Sequence, residues 1–244
     1  MKKLKFIEII LILIFIISLG YIGLNKFIER KETKVYDDIK KIKEKELNEP
    51  SKLAEENYLR LKDINKDVVG WININNTSID YPILQTEDNE FYLNHDINKD
   101  KSKIGSIYVD YEVNLKDSPK NIIIYGHNMN NDSMFSNLDK FKSKEFYKDN
   151  SIISINLFGQ EMEYKIFGVC MIDTKSNDDT FKYNQFVKPE NNEEVQDYIE
   201  EVKMRSLYET GEDASLEDEF ITLSTCSSEL DDFRLIVVGK KINI

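Results

Sequence analysis

Three side chains in this sequence could do covalent chemistry together: a cysteine, a histidine and an arginine. Cys226 closes the β-rich run Phe220-Ile-Thr-Leu-Ser-Thr-Cys226, and Arg234 opens the next, Phe233-Arg-Leu-Ile-Val-Val-Gly239. The acidic loop Ser227-Ser-Glu-Leu-Asp-Asp232 folds the chain back and returns the arginine toward the thiol. A thiol beside a fixed positive charge at a strand end has the makings of a nucleophile. It needs a partner to move protons, and histidine is the usual one. Of the two histidines, His127 follows the buried-looking strand Asn121-Ile-Ile-Ile-Tyr-Gly126 and enters the polar turn Asn128-Met-Asn-Asn131. That strand-end position is well placed to face a cleft. His95, in Tyr92-Leu-Asn-His-Asp96, is the weaker candidate.

Spacing alone leaves other readings open. A cysteine in a strand is commonly a small buried apolar residue. Cys170, mid-strand among Phe167, Val169, Met171 and Ile172, is read that way. Position by itself places Cys226 evenly between the two roles, and Arg234 could instead pair with Asp231 or Asp232.

The elements that must position these residues are mainly β. Strands are expected at 70–74, 78–84, 103–109, 121–125, 151–157, 161–172, 220–226 and 233–242, with a hairpin at Phe158-Gly-Gln160. Helices are expected at 133–148 and 189–207; in the second, Val195, Tyr198, Ile199 and Val202 follow helical spacing. The second helix lies between two late strands, an insertion in a mainly antiparallel fold. Eight short strands suggest a closed barrel or a sandwich.

The chain has 244 residues and a formal net charge of −12. That balance argues against a nucleic-acid partner, which calls for a basic face. Two cysteines make no disulfide framework. No metal-ligand cluster is read from the chain, and no metal or cofactor is expected.

Residues 6–24 form an apolar run behind Lys2, Lys3 and Lys5, close to the ~20 residues that span a bilayer as a helix. No A-x-A-like site follows, so the run is read as an uncleaved signal-anchor. Basic residues flank both sides of it, so the local count does not set its orientation. Residues 25–48 read as a charged helical stalk with a sparse apolar stripe of Val35, Ile39 and Ile42. After Pro50, a second helix capped by Ser51 runs to about Asp63; Leu53, Tyr58, Leu61 and Ile64 could dock it on the core.

Several of these segments resemble the sortase family. The resemblance rests on T-L-S-T-C at 222–226 with Arg234 eight residues on, and on Y-G-H-N-M at 125–129. It extends to D-V-V-G-W-I at 67–72, I-D-Y-P-I-L-Q at 79–85, D-N-E-F-Y-L-N-H-D at 88–96 and S-M-F-S-N-L at 133–138. The N-terminal helices and the helix before the cysteine strand resemble class B sortases. The resemblance implies an eight-stranded sortase-type β-barrel over residues 65–244. It also implies a cytoplasmic tail at 1–5, a transmembrane anchor at 6–24, helices over 25–64 and an extracellular catalytic domain on a Gram-positive cell membrane.

The same resemblance implies a cysteine transpeptidase. Its partners are secreted proteins bearing a C-terminal sorting motif, N-P-x-T-N or x-P-x-T-G like, and a peptidoglycan-precursor amine. Cys226, His127 and Arg234 are the expected catalytic residues. Asn89, Leu93, Tyr125 and Ser224 are expected at the substrate groove, with the Ser227 N–H as a second oxyanion donor. Thr225, on the opposite strand face from Cys226, is expected to be structural. A pilin-polymerising sortase, a hydrolytic cysteine endopeptidase and a non-enzymatic scaffold are the alternatives.

Overall fold

A computed structural model describes residues 2–43, 50–175, 181–226 and 232–242. Its eight strands are β1 (Val68–Asn73), β2 (Asp80–Leu84), β3 (Ile107–Val109), β4 (Asn121–Tyr125), β5 (Ile152–Leu157), β6 (Gln160–Asp173), β7 (Phe220–Cys226) and β8 (Phe233–Lys241). They close into a barrel in the order β1-β2-β3-β4-β7-β8-β6-β5, which decides between the barrel and the sandwich. Most pairs are antiparallel, but β2–β3 and β4–β7 run parallel. A parallel pair needs a long crossover. Between β4 and β7 the chain supplies one by making β5, β6 and a helix on the way.

Local chemistry explains the pieces. The β5–β6 loop is only two residues long, since Leu157 pairs with Gln160. Phe158 and Gly159 both have positive φ, 53° and 85°, the signature of a type I′ turn whose twist suits a hairpin. In β4, four consecutive buried residues match a strand covered on both faces.

Helix α4 (Asn192–Arg205) is shorter at both ends than the sequence suggests, and the Asn191 side chain accepts from the Glu194 N–H as its N-cap. Its buried Val195, Tyr198, Ile199 and Val202 join Phe167, Cys170, Phe220, Ile236 and Val238 in a second core. Gly168 permits this: a Cβ there would lie 2.3 Å from Val202 Cγ1.

Two expectations change. The helix expected at 133–148 is a 3-10 stretch, Ser136–Lys142, followed by α3 (Lys144–Asp149). Ser143 is extended between them and caps α3 by accepting from the Phe146 N–H. The strand expected at 103–109 is limited to Ile107–Val109. Ahead of it Gly105 adopts φ +59° and the Ser106 N–H donates to Tyr92 O, so this stretch serves a neighbouring loop rather than the barrel ladder.

At the N-terminus, α1 (Lys2–Lys43) is one helix and α2 (Pro50–Ile64) follows. Nearly all the large apolar side chains from Ile7 to Leu24 are exposed, and the segment is long and apolar enough to cross a membrane. Further along, Tyr36 and Ile39 are buried against the barrel core, with Val35 partly buried. The side chain of Ile42, from the expected stripe, lies outside the described residues, as do those of Ser51 and Leu53 in α2. In α2, Leu61 is buried, whereas Ile64 is exposed.

Candidate active site

Cys226 is the last residue of β7, and Arg234 is its register partner on β8. Opposed residues in an antiparallel pair point to the same face. The contact follows from register: Arg234 Nη1 donates to Cys226 Sγ at 3.1 Å. The thiol is exposed. Asp232 forms an ion pair with Lys175.

His127 reaches this spot through the parallel β4–β7 ladder, which runs from Asn121↔Phe220 to Tyr125↔Ser224. Beyond its last pair, the Gly126 N–H donates to Ser224 O at 3.2 Å, and Thr225 Oγ1 donates to Gly126 O at 2.7 Å. Continuing that register sets His127 beside Cys226. Gly126 has no space for a side chain: a Cβ would lie 2.4 Å from Ile107 Cδ1 and 2.8 Å from the Phe135 ring. The glycine before the histidine is thus a packing requirement. On the other side of His127, Asn128 Nδ2 lies 3.0 Å from both Cys226 O and Asp139 Oδ2. The Phe135 N–H donates to His127 O at 2.9 Å.

The imidazole has a defined partner. His127 Nε2 lies 2.8 Å from Leu93 O. A carbonyl only accepts, so Nε2 carries a proton, and Nδ1 is the nitrogen free to take and give one.

The residues expected at the groove separate into three situations. Leu93 is 38% exposed and presents its side chain to solvent while its carbonyl holds His127. Asn89 and Tyr125 meet at Asp110, whose Oδ2 accepts from Asn89 Nδ2 at 3.0 Å and from Tyr125 Oη at 2.8 Å. Asp110 is itself 3% exposed, and its Oδ1 accepts from the Glu112 N–H. Burial, then the Asp110 charge, pushes the Tyr125 phenol well above its usual range. Ser224 is 1% exposed with its hydroxyl 2.8 Å from Tyr183 Oη. Ser227 lies outside the described residues.

Thr225 is buried and spent on Gly126 O, in keeping with a structural place. Cys170 is buried, its thiol pushed up to about 12 by burial, and it donates to Val202 O at 3.3 Å. His95 stacks on Phe91 at 4.1 Å between ring centres. Asp110, Asn128 and Tyr183 were missed at the sequence level. Only Asn128 carried a signal, as part of the Y-G-H-N-M segment.

A family profile described as a sortase domain matches residues 72–242, from β1 through β8. The chain belongs to the sortase family. Sortases are cysteine transpeptidases, and the likeness is to class B. Sortase B of Listeria monocytogenes is 35% identical over 242 residues, covering 98% of this chain and 96% of the relative. Sortase B of Staphylococcus aureus is 30% identical over 247 residues, covering 100% and 99%. Among solved structures, a mutant form of Clostridium perfringens sortase B superposes with a TM-score of 0.78 at 35% identity, covering 86% of this chain and 98% of that one. A Staphylococcus aureus sortase B–substrate complex superposes at 0.77 and 28% identity, covering 89% and 99%. As a class B sortase with one long apolar N-terminal helix, the chain fits a single-pass membrane anchor.

Proposed function

We propose that this sortase cleaves a C-terminal sorting motif, N-P-x-T-N or x-P-x-T-G like, after its Thr. It transfers the Thr carbonyl to an amine of a peptidoglycan precursor. The observation that carries this reading is the Arg234–Cys226 contact at 3.1 Å, made at the strand end where β4 delivers His127.

Cys226 thiolate attacks the Thr carbonyl carbon and forms a C–S bond. The carbonyl oxygen takes negative charge, which the Arg234 guanidinium stabilises. Collapse breaks the C–N bond while His127 Nδ1–H protonates the leaving nitrogen, giving a thioester. An incoming amine then attacks the thioester, His127 takes its proton, and the thiolate departs. The Ser227 N–H is the second oxyanion donor in this scheme.

Leu93, Asn89 and Tyr125 form the groove wall nearest the motif's proline end and threonine. Buried Ser224 serves the groove from below, by holding Tyr183. The anchor at 6–24 sets the tail at 1–5 in the cytoplasm and the catalytic domain of 65–244 outside, where both substrates occur. That the Staphylococcus aureus relative was solved as a complex with its substrate supports substrate binding on this barrel.

The experiment is peptide cleavage followed by mass spectrometry, with and without an added amine. The parent and the Cys170→Ala variant should both form a thioester adduct and amine-linked product; Cys226→Ala should form neither. Cleavage by Cys226→Ala would end this reading, and release of free acid only, with amine in excess, would convert it to a hydrolase.

A further inference from the structure

Catalysis as proposed uses nothing N-terminal to β1, yet α1 is packed against the barrel core through Tyr36 and Ile39. Tyr36 is 2% exposed. Its hydroxyl donates to Gly105 O at 2.7 Å and lies 2.8 Å from Ser106 Oγ. Ser106 Oγ also donates to His95 O at 2.8 Å. Gly105 is pressed against the loop that holds His127: a Cβ on it would lie 2.7 Å from Leu93 O and 2.8 Å from Tyr92 O. Leu93 O is the acceptor for His127 Nε2. Thus two links, Gly105 and Leu93, separate the phenol from the imidazole.

A second route leads to the histidine's backbone. The Tyr36 ring meets the Tyr81 ring edge-on at 5.6 Å. Tyr81 Oη accepts from the Met134 N–H at 3.2 Å, and the next residue, Phe135, holds His127 O. Side chain and backbone of His127 are therefore each connected to Tyr36 through intermediates, the first by way of Gly105 and Leu93, the second by way of Tyr81, Met134 and Phe135. Glu32 reinforces the seat by accepting from the Lys103 N–H at 3.1 Å, and Lys40 Nζ lies 4.5 Å from the centre of the Tyr81 ring.

We propose that Tyr36 is a positioning residue for His127, through which the membrane-proximal part of α1 holds the imidazole in its Nε2–H tautomer. The helix runs unbroken from the apolar segment, so Tyr36 sits ~18 Å along its axis from Leu24 at 1.5 Å per residue. Anchoring and active-site geometry are then linked by a short rigid lever. The functional part of this inference rests on His127 as the proton carrier.

The test uses the full chain in lipid nanodiscs, labelled with ¹⁵N-histidine, with His95→Gln to assign the two rings. In the parent, neutral His127 should show its proton on Nε2. Tyr36→Phe keeps the ring contact with Tyr81 and deletes the hydroxyl. It should populate the Nδ1–H form and lower kcat for peptide cleavage about tenfold, with KM little changed, as for a misplaced catalytic group. Gly105→Ala, which drives a methyl toward Leu93 O, should do the same. A parental tautomer and kcat in Tyr36→Phe would overturn the inference, and so would a response confined to Gly105→Ala. His127→Ala separates the two readings. If it still cleaves peptide, the proposed proton carrier is wrong, while the tautomer shift alone decides whether Tyr36 positions the ring.

Discussion

Arg234 and Cys226 face each other across the β7–β8 ladder, and the guanidinium donates to the sulfur at 3.1 Å. Because the pairing is set by strand register, the cation is in place before any substrate arrives. Arg234→Ala should lower kcat for peptide cleavage by about 10²–10³, the usual cost of losing one oxyanion donor. Arg234→Lys should recover only part of this, since an ammonium cannot reproduce the planar fork. Steady-state kinetics on a sorting peptide measures both; a parental kcat in Arg234→Ala would remove Arg234 from the chemistry.

Gly126→Ala tests why a glycine precedes the histidine. The added methyl meets Ile107 Cδ1 at 2.4 Å and the Phe135 ring at 2.8 Å, inside the barrel core. Overpacking of this kind costs about 1–3 kcal/mol, with the melting temperature falling about 2–4 °C per kcal/mol for a chain of this size. Thermal unfolding should show that loss together with reduced cleavage, because the displaced segment carries His127. Unchanged unfolding would mean the core yields without strain.

Asp110→Asn tests the groove wall. The Asn89 amide and the Tyr125 hydroxyl both donate to Asp110 Oδ2. An asparagine amide there opposes donors with a donor, and an unsatisfied buried group costs about 1–3 kcal/mol. With Asn89 and Tyr125 released, KM for the sorting peptide should rise while kcat changes less than about threefold, the pattern of lost uniform binding. A kcat loss at constant KM would place Asp110 in the chemical step instead.

Asp96 offers a test in which pH sets the sign. Burial raises its carboxyl above the ordinary range, against the opposing effect of the Asp100 and Asn98 amides. A raised folded-state value means its stabilising contribution is complete below the unfolded-state pKa and is lost as pH rises through the folded value. Asp96→Asn keeps Oδ1, which accepts from the Asn98 and Asp100 N–H groups, and removes the buried charge. Urea unfolding should show the variant more stable than the parent at pH 7.5, with the advantage shrinking as pH falls through the raised folded value and gone below about pH 4, where the unfolded carboxyl is protonated as well. An advantage that grows on acidification would contradict the assignment.

The strand carrying the thiol was legible to the residue, because Phe220–Cys226 is defined by its own pattern of β-branched and apolar side chains. So was β4, an apolar run between polar ends. Helix α4 was legible in its face and less so in its ends, where Asn191 rather than Pro189 starts it. The broken helix at 133–148 was not legible. Residues there satisfy helical spacing, but Met134 takes φ +54° to bond with Tyr81 and the following turn closes on His127, which are tertiary demands. Tyr36 was not legible beside the stripe of Val35, Ile39 and Ile42, because its role comes from contacts with Gly105, Ser106 and Tyr81, far away in sequence.

Residue type and order were enough to name a thiol, an imidazole and a guanidinium, to set each at the end or start of a strand, and to suggest the family. Those features are local, carried by side-chain pattern within a few residues. Which nitrogen of His127 holds its proton was decided only in three dimensions. Its partner is a backbone carbonyl at Leu93, and every residue type carries that same group. That carbonyl lies against Gly105, whose own carbonyl accepts from Tyr36 of the N-terminal helix α1. Backbone acceptors brought in from distant segments leave no mark on residue identity, so only the closed barrel with α1 seated against it reveals them.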